Sequence, residues 1–254
     1  MSREDRRSLV EALCRAQQAA FGPGEYVEQE SFVRASEILA LATRAGVGRG
    51  VSVLDLCCGA AGPGRFLTRE LDCVYLGVDS SDSAVAVAAE RAGGLPCRFE
   101  VADVPPLPSG TFEVVLLLET LLAFRDKAAL LEEVALALPA GGRFAFTLEE
   151  GAPLTEPERA RMPAADTVWL TPRDEMHALL QKAGLSVGWE EDWSDSHREV
   201  AATLVDAYAA DSPAIAARIG HEALDDLLAA HELWRDWLAT GRVRKFALVA
   251  ERLP

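Results

Sequence analysis

The sequence predicts an α/β fold: a doubly wound, mostly parallel sheet of seven strands covered by helices, with an N-terminal helical lid and a helical insertion before the last strand. Two observations carry this expectation. From Gly50 onward, short β-rich runs alternate with longer helical ones, an order that builds parallel strands joined by crossover helices. Residues 112–118, FEVVLLL, form a nearly unbroken apolar run of strand length, the pattern of a central strand buried on both faces. With 254 residues, half of them apolar, the chain is long enough for one large core.

Residues 51–56 read as the first strand. A Gly/Pro turn follows, then a helix near 65–70, with Pro63 suited to the first helical turn, where its missing N–H costs nothing. Residues 74–78 are the second strand. The next helix starts after Asp79, where Ser80, Ser81 and Asp82 are all able N-caps, and it stops at Gly93 and Gly94. Strands three and four are placed at 97–102 and 112–118. Residues 126–138 repeat apolar positions at helical spacing and end at Pro139, Gly141 and Gly142, ahead of strand five at 143–148. Thr171 and Pro172 open a helix to Ala183, with Gly184 as its stop, before strand six around 185–191. Residues 243–250 are the last strand. Between strands six and seven, residues 194–240 are mostly helical and far longer than a hairpin loop, so they read as an insertion. Residues 6–45 are helical too, broken by Phe21-Gly-Pro-Gly-Glu-Tyr26. The expected division is a lid over 1–45 and a main domain over 46–254 that carries the insertion.

Charge narrows the partners. Forty acidic against 25 basic side chains leave a net charge of −15, which repels phosphate backbones and anionic lipid and argues against nucleic acid as a partner. No apolar run reaches the roughly 20 residues that span a bilayer, and the polar start MSREDRR lacks a signal-peptide core, so the expectation is a cytoplasmic protein with no membrane partner. Five cysteines form no C-x-x-C pair and read as reduced thiols. The four histidines show no metal-ligand spacing, so no metal is expected.

The chemistry concentrates where the first strand ends. Residues 55–65 read Asp-Leu-Cys-Cys-Gly-Ala-Ala-Gly-Pro-Gly-Arg, a small-residue loop between strand and helix, and Asp79 follows 24 residues after Asp55. Glycine lets a ligand approach the backbone, the helix N-terminus offers unpaired N–H groups, and an acid ending strand two accepts from ribose hydroxyls. Gly59, Gly62 and Gly64 read G-x-x-G-x-G and not the dinucleotide order G-x-G-x-x-G, which argues against a nicotinamide cofactor.

In this stretch the sequence resembles class I S-adenosylmethionine-dependent methyltransferases, and the likeness covers most of residues 50–254. Residues 55–65 are similar to the D-x-G-x-G-x-G-G-P-A-R form found in sterol, tocopherol and sarcosine-type small-molecule methyltransferases, with Cys57 and Ala61 in place of two glycines. The resemblance implies a Rossmann-like fold with an antiparallel last strand and S-adenosylmethionine as cofactor. It implies that Asp55, Cys58, Gly59 and Gly62 surround the methionine moiety, Asp79 and Ser80 the ribose, and Asp103 and Val104 the adenine. Tyr26 and Gln29 belong to a segment that in relatives folds over the cofactor, and Glu119, after strand four, faces the sulfonium and the acceptor. The activity implied is methyl transfer to a small organic acceptor, on O, N or C. The other reading is a protein of this fold that binds the cofactor without methyl transfer, such as a biosynthetic cyclase or an assembly partner.

Blander roles stand beside these. Asp55 and Asp103 also suit turns, Asp79 a helix N-cap, and Cys57 and Cys58 plain packing. Methyl transfer depends chiefly on alignment, so a catalytic side chain is optional. If the acceptor is a hydroxyl, His197 in the insertion is the candidate base, with a surface or capping role as the alternative. Tyr26, Phe32, Phe124, Trp169, Trp189 and Trp193 suggest an apolar acceptor site, and Glu149 and Glu150 after strand five are placed to face it. Trp234, Trp237 and Leu238 share a helical stripe that reads as packing, while a homodimer through the inserted helices stays open.

Overall fold

A computed structural model describes residues 3–254. Helices α1 (Arg3–Phe21) and α2 (Ala35–Arg44) precede β1 (Ser52–Leu56), α3 (Gly62–Leu71), β2 (Val74–Asp79), α4 (Asp82–Arg91), β3 (Cys97–Val101) and β4 (Val114–Leu117). There follow α5 (Lys127–Ala137), β5 (Arg143–Glu150), α6 (Glu156–Arg161), α7 (Arg173–Lys182) and β6 (Leu185–Asp192). Three consecutive helices, α8 (Ser194–Ala210), α9 (Ser212–Ile219) and α10 (His221–Thr240), lead into β7 (Arg244–Arg252).

The strands form one seven-stranded sheet in the order β3-β2-β1-β4-β5-β7-β6. β1 to β5 pair in parallel, and β7 lies antiparallel between β5 and β6. Winding reverses between β1 and β4. That reversal leaves a crevice beyond the carboxyl ends of those strands, the usual ligand position in an open α/β sheet.

Local chemistry explains most boundaries. Ser81 is the N-cap of α4, its Oγ accepting from the Ala84 N–H at 3.2 Å. Asp126 caps α5 by accepting from Ala129 N–H at 3.0 Å. α3 starts at Gly62, earlier than the pattern suggests, because Pro63 occupies its first turn. β4 is shorter than residues 112–118: Leu118 leaves the ladder as Glu119 turns to a left-handed φ of 59°. β5 and β7 run longer than expected because each extends the other's antiparallel ladder, from Arg143 opposite Glu251 to Glu150 opposite Arg244.

Apolar residues cover both faces of the sheet. Leu54, Leu56, Val115, Leu117, Phe144 and Phe146 pack on the α5 and α7 side. Val53, Tyr75, Val114, Leu116 and Ala145 pack on the α2 and α3 side. A third cluster joins Leu13, Ala16 and Phe21 of α1 to Val200, Leu204, Tyr208, Ile215 and Leu238 of the last three helices. Leu233, Trp237 and Leu238 are buried, so this part of the α10 stripe faces inward. All five cysteines are free thiols. No helix among the described residues is long and apolar enough to cross a membrane.

Candidate functional site

The loop from β1 to α3 closes through left-handed residues. Cys57 (φ 57°), Gly59 (φ 56°) and Ala61 (φ 54°) alternate with ordinary ones, so the two positions where the D-x-G-x-G-x-G-G pattern carries glycine do require that conformation. A side chain there costs about 1–2 kcal/mol. Glu28 (φ 64°) and Glu119 (φ 59°) are also left-handed, and all four of these non-glycine residues line one cavity of about 220 Å³. Backbone strain of this kind gathers where a fold holds a ligand. The lining includes the carboxyl groups of Glu28, Glu30, Asp55, Asp79 and Glu119, and no lysine or arginine among the described residues.

Asp55 and Asp79 have distinct surroundings. The Asp55 carboxyl is buried, accepts from the Tyr75 hydroxyl at 2.5 Å, and is pushed up to about 7 by burial. Tyr75 has room because Gly64 faces it: a Cβ on Gly64 would collide with the tyrosine ring. Asp79 braces the loop, accepting from Gly59 N–H through Oδ2 and from Ser81 N–H through Oδ1, both at 2.9 Å. Burial raises the Cys57 thiol to about 12 and moves Cys58 in the same direction, so both are neutral at physiological pH.

A strap over residues 25–33 overhangs this loop. A Cβ on Gly62 would strike the carbonyl oxygens of Val27 and Glu28, so that glycine is what admits the strap. Glu28 pairs with Arg65 at 2.5 Å and Arg91 at 2.8 Å, while Arg65 also donates to Ala61 O at 3.1 Å. One buried guanidinium therefore ties the strap to the loop. Gln29 is an internal strut, donating to Glu25 O and Val33 O and accepting from Val27 N–H at 2.6 Å.

A second cavity, about 380 Å³, shares Glu30, Ser31 and Glu119 with the first. Its walls include Leu13, Phe32, Leu204, Tyr208, Leu227 and Trp234. Its floor is charged: Lys245 Nζ donates to Glu119 Oε2 at 2.7 Å and to Glu149 Oε1 at 2.6 Å, and all three side chains are more than nine-tenths buried. The Lys245 ammonium also lies 5.9 Å from the centres of the Phe32 and Trp234 rings. Burial opposes ionisation of Glu119, but Lys245 holds its carboxyl below the ordinary range. Burial, reinforced by Glu119, drives Glu149 the other way.

The structure gathers Gln29, Asp55, Cys58, Gly59, Asp79 and Glu119 around the first cavity, with Gly62 next to Ala61 and Pro63 in its wall. Ser80 and Asp103 are exposed, and Val104 half-buried, beyond the ends of β2 and β3 on the same sheet edge. Two residues stand elsewhere. Tyr26 turns away toward α1, donating to Gln17 Oε1 at 2.7 Å and packing on Phe21. His197 lines neither cavity: it is fully buried between Phe32 and Trp193, away from where an acceptor would meet it, and burial pushes it down to about 3. Tyr75 and Lys245 are site residues that the pattern reading passed over. Their signals were the glycines Gly64 and Gly77 around a bulky tyrosine, and a lysine on the same pleat face as buried Ala247 and Val249.

Residues 53–142, from β1 to just before β5, match the family described as Methyltransferase domain. That stretch of the chain is a methyltransferase domain. Among methyltransferase relatives, phosphoethanolamine N-methyltransferase 3 of Arabidopsis thaliana is 35% identical over 102 residues, 39% of this chain and 21% of that protein. The chain thus spans only about a fifth to a quarter of the length of the plant relatives it matches. The 27-O-demethylrifamycin SV methyltransferase of Amycolatopsis mediterranei is 31% identical over 160 residues, 59% of each chain. The methyltransferase fold extends beyond sequence likeness: the cyclopropane synthase MmaA2 of Mycobacterium tuberculosis superposes with a TM-score of 0.82 at 12% identity, over 96% of this chain and 94% of that one.

Proposed function

We propose that this protein transfers a methyl group from S-adenosylmethionine to a small organic acceptor, with the cofactor in the crevice at β1 and β4 and the acceptor in the neighbouring apolar chamber. The acid lining of the crevice carries this reading. Five carboxyl groups, with no lysine or arginine among the described lining residues, offer acceptors to ribose hydroxyls, an ammonium and a sulfonium, and no cation to hold the pyrophosphate of a dinucleotide. Bound there, the cofactor supplies an electrophilic methyl on a positively charged sulfur.

The chain's own residues do the rest. Asp79 accepts from the ribose while bracing Gly59, with Ser80 beside it. Cys58, Gly59 and Gly62 give the close backbone approach that the methionine end needs, and Asp55 offers an acceptor for its ammonium. Asp103 and Val104 take the adenine. Gln29 keeps the strap in shape over the ligand, and Glu119 places a carboxylate at the boundary of the two cavities. Residues 1–45 act as a lid, and the insertion over 194–240 roofs the acceptor chamber on a main domain of 46–254. Alignment of the acceptor with the methyl supplies most of the acceleration, and burial under the lid excludes water.

Calorimetry tests the crevice. Asp79→Ala is expected to weaken S-adenosylmethionine by about 1–3 kcal/mol, the scale for hydrogen bonds to a charged group. An affinity equal to the parent's removes Asp79 from the site. Incubation with labelled donor and candidate acceptors should release S-adenosylhomocysteine, and its absence across a broad acceptor panel would count against transfer.

A further inference from the structure

The chamber floor holds more hydrogen-bonding capacity than the protein uses. Glu119 Oε1 and Glu149 Oε2 are buried and have no hydrogen-bond partner, and both residues line the chamber. An unsatisfied buried carboxylate oxygen is costly, so two of them on residues that line one cavity invite a donor from outside the chain. His231 on α10 adds to this. Its Nδ1 bonds Leu227 O at 2.8 Å, and because a carbonyl only accepts, Nδ1 carries the proton and neutral Nε2 is an acceptor. Burial holds this ring below its ordinary range, in the neutral form. The chamber therefore presents acceptors within apolar walls.

We propose that Glu119, Lys245 and Glu149 form an acceptor-recognition site for a hydroxyl group carried on an apolar body, with Glu149 Oε2 receiving the hydroxyl proton. This rests on reading the adjoining crevice as the cofactor site. A hydroxyl fits better than an ammonium because a second desolvated cation would sit against the Lys245 ammonium, whereas a neutral O–H satisfies the carboxylate without adding charge. Glu119 and Glu149 divide the work as their surroundings dictate. Glu119, kept ionised by Lys245, borders both cavities and faces developing positive charge, while Glu149, made more basic by burial, takes up the proton. In the transfer, the O–H bond breaks with its proton going to Glu149. The oxygen pair forms the bond to the methyl carbon, and the carbon–sulfur pair stays on sulfur. Lys245 is a positioning residue that holds both carboxylates in register.

Three two-ring probes of similar shape test the assignment: 2-naphthol, 2-(aminomethyl)naphthalene and 2-methylnaphthalene, titrated calorimetrically at pH 7 with and without saturating S-adenosylhomocysteine. The parent protein should bind 2-naphthol at least tenfold more tightly than either other probe. Glu149→Gln should shrink that advantage several-fold and Glu149→Met should abolish it, both leaving the affinity for S-adenosylhomocysteine unchanged. Preference for the amine, no preference for the alcohol, or an advantage that survives Glu149→Met overturns the proposal. The parent ratio decides the question even if both variants fail to fold. Failure of S-adenosylhomocysteine to bind at all would instead remove the crevice reading, and the ratio measured without it would still judge the floor.

Discussion

Replacing Asp55 with asparagine should make the protein more stable at neutral pH, although it removes a hydrogen-bonded acid from the site. The carboxyl is buried, Tyr75 OH is its one hydrogen-bond partner among those described, and burial lifts its pKa from 3.8 to about 7. The folded chain holds this proton more tightly than the unfolded chain, so the contribution is most favourable below pH 3.8 and is lost as pH rises toward 7. Integrated over the two pKa values, the parent forfeits about 2–3 kcal/mol between pH 5 and pH 8 on this account alone. Asparagine keeps an oxygen for the Tyr75 hydroxyl and has no charge to desolvate. Urea denaturation at both pH values, on parent and Asp55→Asn, reads the difference directly. The stability gap should favour the variant at pH 8 and narrow by about 2 kcal/mol or more at pH 5. A gap that is the same at both pH values, or a variant less stable than the parent at pH 8, refutes a desolvated Asp55.

Other consequences follow from the same packing. Gly64→Ala should cost about 1–3 kcal/mol of stability, because the new methyl meets the Tyr75 ring, and thermal denaturation would register it. Glu28→Gln strips the ion pairs from Arg65 and Arg91 and should speed proteolysis within residues 25–33 and weaken S-adenosylmethionine, both measurable against the parent. Lys245→Met leaves Glu119 and Glu149 as adjacent uncompensated carboxylates and should destabilise by about 3–5 kcal/mol near pH 7. Without the lysine both carboxyls become harder to ionise when folded, so that penalty should shrink as pH falls; a loss independent of pH would contradict the triad geometry.

Much of the fold is readable from periodicity, because apolar strand runs, capping residues and glycine stops are local signals. Strand positions, the crossover helices and the loop-plus-Asp79 crevice all rest on such signals. What fails is long-range placement. Tyr26 sits in the right segment, but the Gln29 strut fixes the strap and the ring finds α1 instead of the crevice. His197 has the chemistry of a base, yet α8 points it into a packed layer, a direction that depends on how the inserted helices dock. Lys245 pairs with residues 126 and 96 positions away, Glu119 and Glu149, so no window of sequence contains the ion triad. Tyr75 meets Asp55 only because β1 and β2 are neighbours in register.

The antiparallel seventh strand has a consequence for how the molecule comes into being. It slots between β5 and β6 after three helices have been made, and it carries the only lysine or arginine among the described residues of the chamber wall. On a ribosome, β1 to β5 emerge before β7, and the gap beside β5 waits roughly a hundred residues for its filler. Until Lys245 arrives, Glu119 and Glu149 lack the counter-ion they share. Assembly of the chamber floor is thereby tied to synthesis of β7, so a nascent chain released before that strand lacks the ammonium that holds its two floor carboxylates together.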